Sequence, residues 1–376
     1  MDLNQFRVGL DQWLDEHAAQ LAPSHGADVT FDGEMAHLAT VKRLTYDAGW
    51  MRWGWPERVG GLGGSTLMRA YLGEALTCRD FIEPSIYSMT EVLLPAVIEF
   101  ASGDLAEQVV PRFLRGDEVW CQGFSEPGAG SDLAALSCRA SRVGDAWLVT
   151  GQKVWTSLAQ YADRCILMVR SGSPQAAGRG ITALFVDMAT PGITVRPIRA
   201  MHGREEFCEV FFDDVIVPAE RTLGKDGEGW TVAMNLLPYE RSTALWHRGA
   251  YLRRRMSDLL GSAPADVLEP DAVGTVVQQL FALHARSRAT QYRLSRGERL
   301  GPETSIDKVL LATADQALFD LAESAFSAEV ATGSDSRSAR WRREFLYSRA
   351  ATIYGGSAEV QRNIIARRLL DLGAER

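Results

Sequence analysis

The chain has 376 residues, enough for two or three domains with a large buried core, and its 46% hydrophobic and 23% charged composition lies in the globular range, away from disorder. Lys plus Arg number 40 against 48 Asp plus Glu, a formal charge of −8 that offers a phosphate backbone no general attraction and excludes nucleic acid as a natural partner. Cys78, Cys121, Cys138, Cys165 and Cys208 are scattered, odd in number and without C-x-x-C spacing, so they read as reduced thiols of a cytoplasmic protein and not as zinc ligands or disulfides.

The first element is an amphipathic helix carrying Phe6, Leu10, Trp13 and Leu14, with Asp11 and Glu16 opposite. It lacks the basic region and apolar core of a signal peptide, and no segment approaches the roughly eighteen apolar residues needed to cross a bilayer. Helical spacing continues to about Gly116, through Val92, Leu93, Val97 and Phe100 and then Val109, Val110, Phe113 and Leu114. Trp55 to Ser65, WPERVGGLGGS, interrupts it as a glycine-rich loop.

From about Trp120 to Pro218 the period changes to strand-like runs: Ala146–Thr150, Cys165–Val169, Ile181–Val186, Ile193–Val195 and Glu209–Val217. Gly144-Asp145 has the chemistry of a two-residue hairpin turn, which favours an antiparallel sheet or barrel over a Rossmann layout. From Gly229 onward the helical period returns over Trp230–Leu260, Ala272–Arg296, Ser305–Phe326 and Ser357–Leu370. The expected domains are therefore 1–117, helical; 118–222, β; and 223–376, helical: mostly α with a central β-domain.

Four segments can carry chemistry. In FSEPGAGSDL, Phe124 to Leu133, Pro and Gly fix a tight loop in which Ser125, Ser131 and Asp132 stand beside open backbone N–H groups; it reads as a ligand cradle or as an ordinary loop. In GQKVWTS, Gly151 to Ser157, strand alternation puts Trp155 and Ser157 on one face, suited to a flat heteroaromatic ring, although a core Trp explains the indole too. In YGGSAEVQR, Ser357 is a good N-cap, and the free amides of a glycine-rich helix start also bind anions or carbonyl oxygens. Glu240 falls on the apolar stripe with Leu236, Leu237 and Ala244, an expensive place for a charge; it is either a general base or the partner of a salt bridge such as one to Arg241. The six histidines have no metal-ligand spacing, and neither G-x-S-x-G nor a Walker sequence is present, so no metal site is expected.

Taken together, FSEPGAGSDL, GQKVWTS, EVFFDDVIVP and IYGGSAEVQRNIIARRLL, in this order, resemble the acyl-CoA dehydrogenase family of flavoproteins along nearly the whole chain. The resemblance implies a helical N-terminal domain, a β-barrel-like middle domain and a C-terminal four-helix bundle. It implies FAD as cofactor, an acyl-CoA substrate, α,β-desaturation and an electron-transferring flavoprotein as acceptor. Carried over by residue, Phe124, Ser125, Trp155 and Ser157 would line the flavin, Ser357 and Glu359 would meet FAD beyond the ring, and Ser131 and Arg241 would lie on the substrate side. Many members place the base directly after the Tyr of the last motif, but here that position is Gly355, left with only a backbone N–H for the thioester carbonyl. Tyr239-Glu240-Arg241 resembles the branch whose base lies on an early helix of the C-terminal domain, which makes Glu240 the candidate.

Two family sequences are missing. Ser257 to Leu280 holds no R-x-x-F-G, and Ala322 to Ser338 no glycine pair of the Q-x-x-G-G-x-G kind, both of which serve FAD across a subunit interface. The pattern resembles bacterial heteromeric members, α2β2 tetramers, some acting on sterol side-chain thioesters, in which a paralogous chain supplies the phosphate contacts. A non-catalytic partner subunit and a flavin oxidase on the same fold are the competing readings. The width of the acyl pocket is expected to depend on residues such as Tyr87, Thr90, Leu236 and Trp246.

Overall fold

A computed structural model describes residues 1–23, 30–173, 180–264 and 266–373. The N-terminal layer comprises α1 (Leu3–Glu16), α2 (Ala18–Leu21), α3 (Phe31–Asp47), α4 (Thr66–Cys78), α5 (Pro84–Tyr87), α6 (Met89–Phe100) and α7 (Gly103–Arg115). Asp2 and Gln5 cap α1 reciprocally, and the stripe that the sequence marked, Phe6, Leu10 and Leu14, is buried. The WPERVGGLGGS segment folds back on itself so tightly that a Cβ at Gly61 would lie 2.1 Å from the Trp55 carbonyl oxygen, which only glycine permits.

The middle layer is a sheet of β1 (Trp120–Gly123), β2 (Arg139–Val143), β3 (Ala146–Ser157), β4 (Arg164–Arg170), β5 (Ile181–Asp187), β6 (Ile193–Ile198), β7 (Phe207–Pro218) and β8 (Thr222–Leu223). Among the described residues the order is β6-β7-β3-β2-β4-β5-β8, with β1 beside β4. Val143 pairs with Ala146, so Gly144-Asp145 is the two-residue hairpin turn expected. The pairing is antiparallel except at β1–β4 and β2–β4. β1, β2 and β8 carry too few β-branched residues to announce themselves. The motif GQKVWTS is the second half of β3, not a separate element.

The C-terminal layer holds α8 (Gly229–Glu240), α9 (Thr243–Ser262), α10 (Pro270–Ser295), α11 (Thr304–Ala325), α12 (Ser327–Thr332), α13 (Ser336–Ser348) and α14 (Ala358–Arg368). The single helix expected over Trp230–Leu260 is two. Pro238 lies inside the last turn of α8, and the Ser242 hydroxyl donates to the Pro238 carbonyl oxygen at 2.6 Å, closing the turn from outside. This break leaves Glu240 as the last residue of α8. Three apolar cores result: one in the N-terminal helices, extended by Val232, Ala233 and Leu236 of α8, one inside the sheet, and one among α9 to α13. All five cysteines are free thiols. No helix is long and apolar enough to cross a membrane, and no metal-binding cluster exists among the described residues.

Candidate active site

A cavity of about 150 Å³ opens where the three layers meet. Its lining includes Gln122 of β1, Ser157 at the end of β3, Glu240, Lys308 of α11, and Gly355. The lining also carries Glu206, Arg248 of α9 and Tyr347 of α13, with Ser88, Val92 and Leu245. Gln122 and Glu240, 118 positions apart in sequence, thus meet because α8 ends where β1 and β3 end.

Glu240 is half-buried, and among the described residues its carboxylate is held without an ion pair. Gln122 donates from Nε2 to Glu240 Oε2 at 3.2 Å. Arg241 turns the other way and donates from Nε to the Gly355 carbonyl oxygen at 3.2 Å; it makes no ion pair among the described residues, so the salt bridge weighed from sequence does not form. Burial lowers the Arg241 guanidinium from its ordinary value, with Glu240 opposing. Gly355 has φ +64°, and a Cβ there would sit 3.2 Å from both Glu240 Oε1 and Lys308 Cε. The glycine vacates the space that the carboxylate occupies, which links the two departures from the family pattern physically. The Gly355 N–H has no acceptor among the described residues. Lys308 is buried and its ammonium pKa falls to about 8, Glu240 working against that fall. It donates to the Ala351 carbonyl and lies 4.1 Å from the centre of the Tyr354 ring.

The flavin-side residues stand on a local distortion. The register of β3 against β7 shifts between Lys153 and Thr156, and Trp155 has φ +59°. Simple alternation therefore fails. Trp155 is 59% exposed, with only an edge contact to Phe207, and Ser157 is half-buried and lines the cavity. The core-Trp alternative is overturned: a strained backbone presents a large indole to the outside. Beside it, Val154 N–H donates to the Ser125 carbonyl oxygen at 2.9 Å, and Lys153, fully buried, pairs with Glu126 at 2.8 Å. Glu126 also accepts from Ser137 and Cys138, so the loop after Phe124 is bolted to the sheet. An uncovered indole and, two residues on, a hydroxyl on the cavity, both at the end of β3, fit an isoalloxazine; Gln122 Oε1 and Thr156 Oγ1, buried without partners among the described residues, show that polar capacity is left over there.

Other candidates lie outside the cavity. Ser131 is exposed, Ser357 caps α14 by accepting from Val360 N–H at 3.3 Å, and Glu359 is exposed with a loose ion pair to Arg362 at 3.8 Å. Tyr87 and Leu236 are core residues, Thr90 faces a small pocket near Lys42, and Trp246 a groove near His284, so none of these four shapes the main cavity. Sequence reasoning missed Gln122, Lys308, Glu206, Arg248 and Tyr347. The one available signal was charge on an apolar stripe, as at Lys308 among Leu311 and Ala312.

Three models of the acyl-CoA dehydrogenase family match: the N-terminal domain over 2–117, the middle domain over 121–215 and the C-terminal domain over 227–370. Acyl-CoA dehydrogenase IpdE1 of Mycobacterium tuberculosis is 35% identical over 387 aligned positions, covering 100% of this chain and 99% of that protein. Among solved structures, the ChsE4-ChsE5 complex from the same organism superposes with a TM-score of 0.78 at 25% identity, covering 99% of this chain and 98% of that one. A steroid ACAD, Tcur3481-Tcur3483, gives 0.82 at 22% identity over 99% and 96%.

Proposed function

The chain belongs to the acyl-CoA dehydrogenase family, an FAD-dependent enzyme family, and from that premise we propose that Glu240 is the base that takes the α-proton of an acyl-CoA thioester. The observation that carries this reading is the meeting of Glu240, Gln122, Ser157 and Gly355 in one cavity, with no cation paired to the carboxylate. A thioester α-proton is weakly acidic, so its removal needs a partly desolvated carboxylate and a donor at the carbonyl oxygen where charge develops. Glu240 supplies the first, and the unpaired N–H of Gly355 supplies the second. Gln122 positions the carboxylate from the sheet side. Ser157 and Trp155 orient the flavin ring, and FAD, when bound, accepts the hydride that leaves the β-carbon. An electron-transferring flavoprotein is the proposed acceptor.

Replacing Glu240 with Gln keeps the shape and the Gln122 contact but removes the proton acceptor. Anaerobic reduction of bound FAD by an acyl-CoA should slow by about 10³-fold or more, with the flavin absorbance of the oxidised protein unchanged. Reduction at a near-normal rate would remove Glu240 from the role.

A second proposal concerns assembly. The missing R-x-x-F-G and glycine-pair sequences fall on the end of α9, the start of α10, and α12, and next to them Val277 and Phe281, one helical turn apart on α10, are 45% and 73% exposed. We infer a mixed tetramer in which a paralogous chain covers this face and holds the FAD phosphates; the ChsE4-ChsE5 relative is itself described as a complex. The chain purified alone should bind FAD poorly. A homotetramer with one FAD per chain and full activity would overturn the mixed assembly.

A further inference from the structure

Part of the cavity lining, Glu206, Arg248 and Tyr347, is polar, and the reaction as proposed uses none of it. Arg248 lies on α9, beyond the break that ends α8 at Glu240. Glu206, just before β7, is 4% exposed and lines the cavity; its carboxylate has no hydrogen-bond partner among the described residues, and the ring of His202 lies beside it, Nε2 at 3.9 Å. The Tyr347 phenol, also on the lining, finds no hydrogen-bond partner either. Two polar side chains that face a cavity without protein partners, one buried and one half-buried, mark a place where a ligand atom completes them.

The sign of the charge narrows the ligand. Arg248 stands under Tyr347 but is already held by two carboxylates: Nε and Nη2 reach Asp315 at 2.9 and 3.0 Å, and Nη1 reaches Glu344 at 3.0 Å. Arg248 therefore has no charge left over for an anionic tail, and Lys308, the other cation of the lining, is engaged by the Ala351 carbonyl. Burial pushes the Glu206 carboxyl up to about 7, Arg204 opposing, with Glu83, Glu344 and Glu34 adding to the rise. His202 is held down to about 4, by burial first and then Arg204, so it is neutral beside Glu206.

The geometry points to recognition of a neutral oxygen, a ketone or hydroxyl, carried by the acyl group and received between Glu206 and Tyr347. The substrate class is then a CoA thioester with an oxygenated acyl part, not a plain fatty acyl chain and not a dicarboxylic one. This rests on the dehydrogenase reading above.

The test compares three thioesters on the FAD-loaded enzyme: octanoyl-CoA, its analogue with a ketone next to the chain end, and its ω-carboxylate analogue. The ratio of kcat/KM for ketone over octanoyl should be about tenfold at pH 6 and fall as pH rises through 7, because the carboxyl then stops donating. Since both substrates share the same base, its titration cancels in the ratio. Glu206→Leu and Tyr347→Phe should each bring the ratio toward one. Glu206→Gln, whose amide donates at every pH, should keep the preference and lose its pH dependence. A ratio near one in the native chain, a ratio untouched by both variants, or a preference for the ω-carboxylate would overturn the inference. If none of the thioesters reduces the flavin, the dehydrogenase reading fails instead, and the same ratio measured as Kd by calorimetry still decides the recognition.

Discussion

Two buried cations sit in adjoining walls of the molecule and are treated differently. Below the cavity, Arg248 is clamped by Asp315 and Glu344, so three helices, α9, α11 and α13, are fixed to one another by charge. In the N-terminal layer, Lys42 of α3 is 4% exposed with no anion paired to it among the described residues; its ammonium lies 4.1 Å from the centre of the Phe113 ring. The first arrangement spends its polar capacity on position and leaves nothing for a ligand to neutralise. The second leaves a charge that the fold would sooner lose, and its pKa falls to about 7 by burial.

The largest expected effect breaks the first arrangement. Burial works to raise the Glu344 carboxyl, yet Arg248, helped by Arg343 and Arg204, holds it below the ordinary carboxylate range. Arg248→Met strands Asp315 and Glu344 without their main partner, and should cost about 3–5 kcal/mol in urea or guanidinium unfolding. A loss under about 1 kcal/mol would mean that the carboxylates find other partners and that the clamp does not fix the floor of the cavity.

A smaller effect is expected from Gly355→Ala, which tests the wall above the same floor. The backbone at φ +64° is strained for alanine by roughly 1–2 kcal/mol, and the new methyl group would press on Glu240 Oε1 from 3.2 Å. Steady-state turnover should fall about tenfold or more, while thermal stability shifts by only a few degrees. Unchanged turnover would show that the carboxylate has room to move, and would weaken the account of why this chain carries glycine there.

How much of this could be read beforehand follows from what each feature depends on. The helix, sheet, helix order was legible because amphipathic periodicity is local, as was the hairpin at Gly144-Asp145. Glu240 was legible because a charge on an apolar stripe is visible in one helix, whereas the helix end that aims it depends on Pro238 and the back-bond from Ser242. Alternation misplaced Trp155, since a register shift is decided by the partner strand and leaves little trace in GQKVWTS. Glu206, Arg248 and Tyr347 were invisible for a stronger reason: they come from the segment before β7, from α9 and from α13, and their meaning arises only when the layers close.

Lys42 gives the smallest effect and the sharpest sign. The ordinary ammonium pKa is 10.5 and the folded value is about 7, so between these limits the unfolded chain holds a proton that the folded chain has released. Unfolding then takes up a proton, and the stability of the native protein rises with pH across that window; below about 7 the cost of burying the charge is present in full. Lys42→Met removes that cost. It should stabilise by about 1–2 kcal/mol near pH 7, the Phe113 contact offsetting part of the gain, and the advantage should shrink as pH climbs toward 10.5. Paired Tm measurements at pH 6.5, 8 and 9.5 check both the sign and the trend. A variant that is less stable at every pH would mean that Lys42 holds a partner within the small pocket it shares with Ile86, Met89 and Leu158, three residues that also line the main cavity. The contrast with Arg248 would then be one of degree, with both cations serving the same wall.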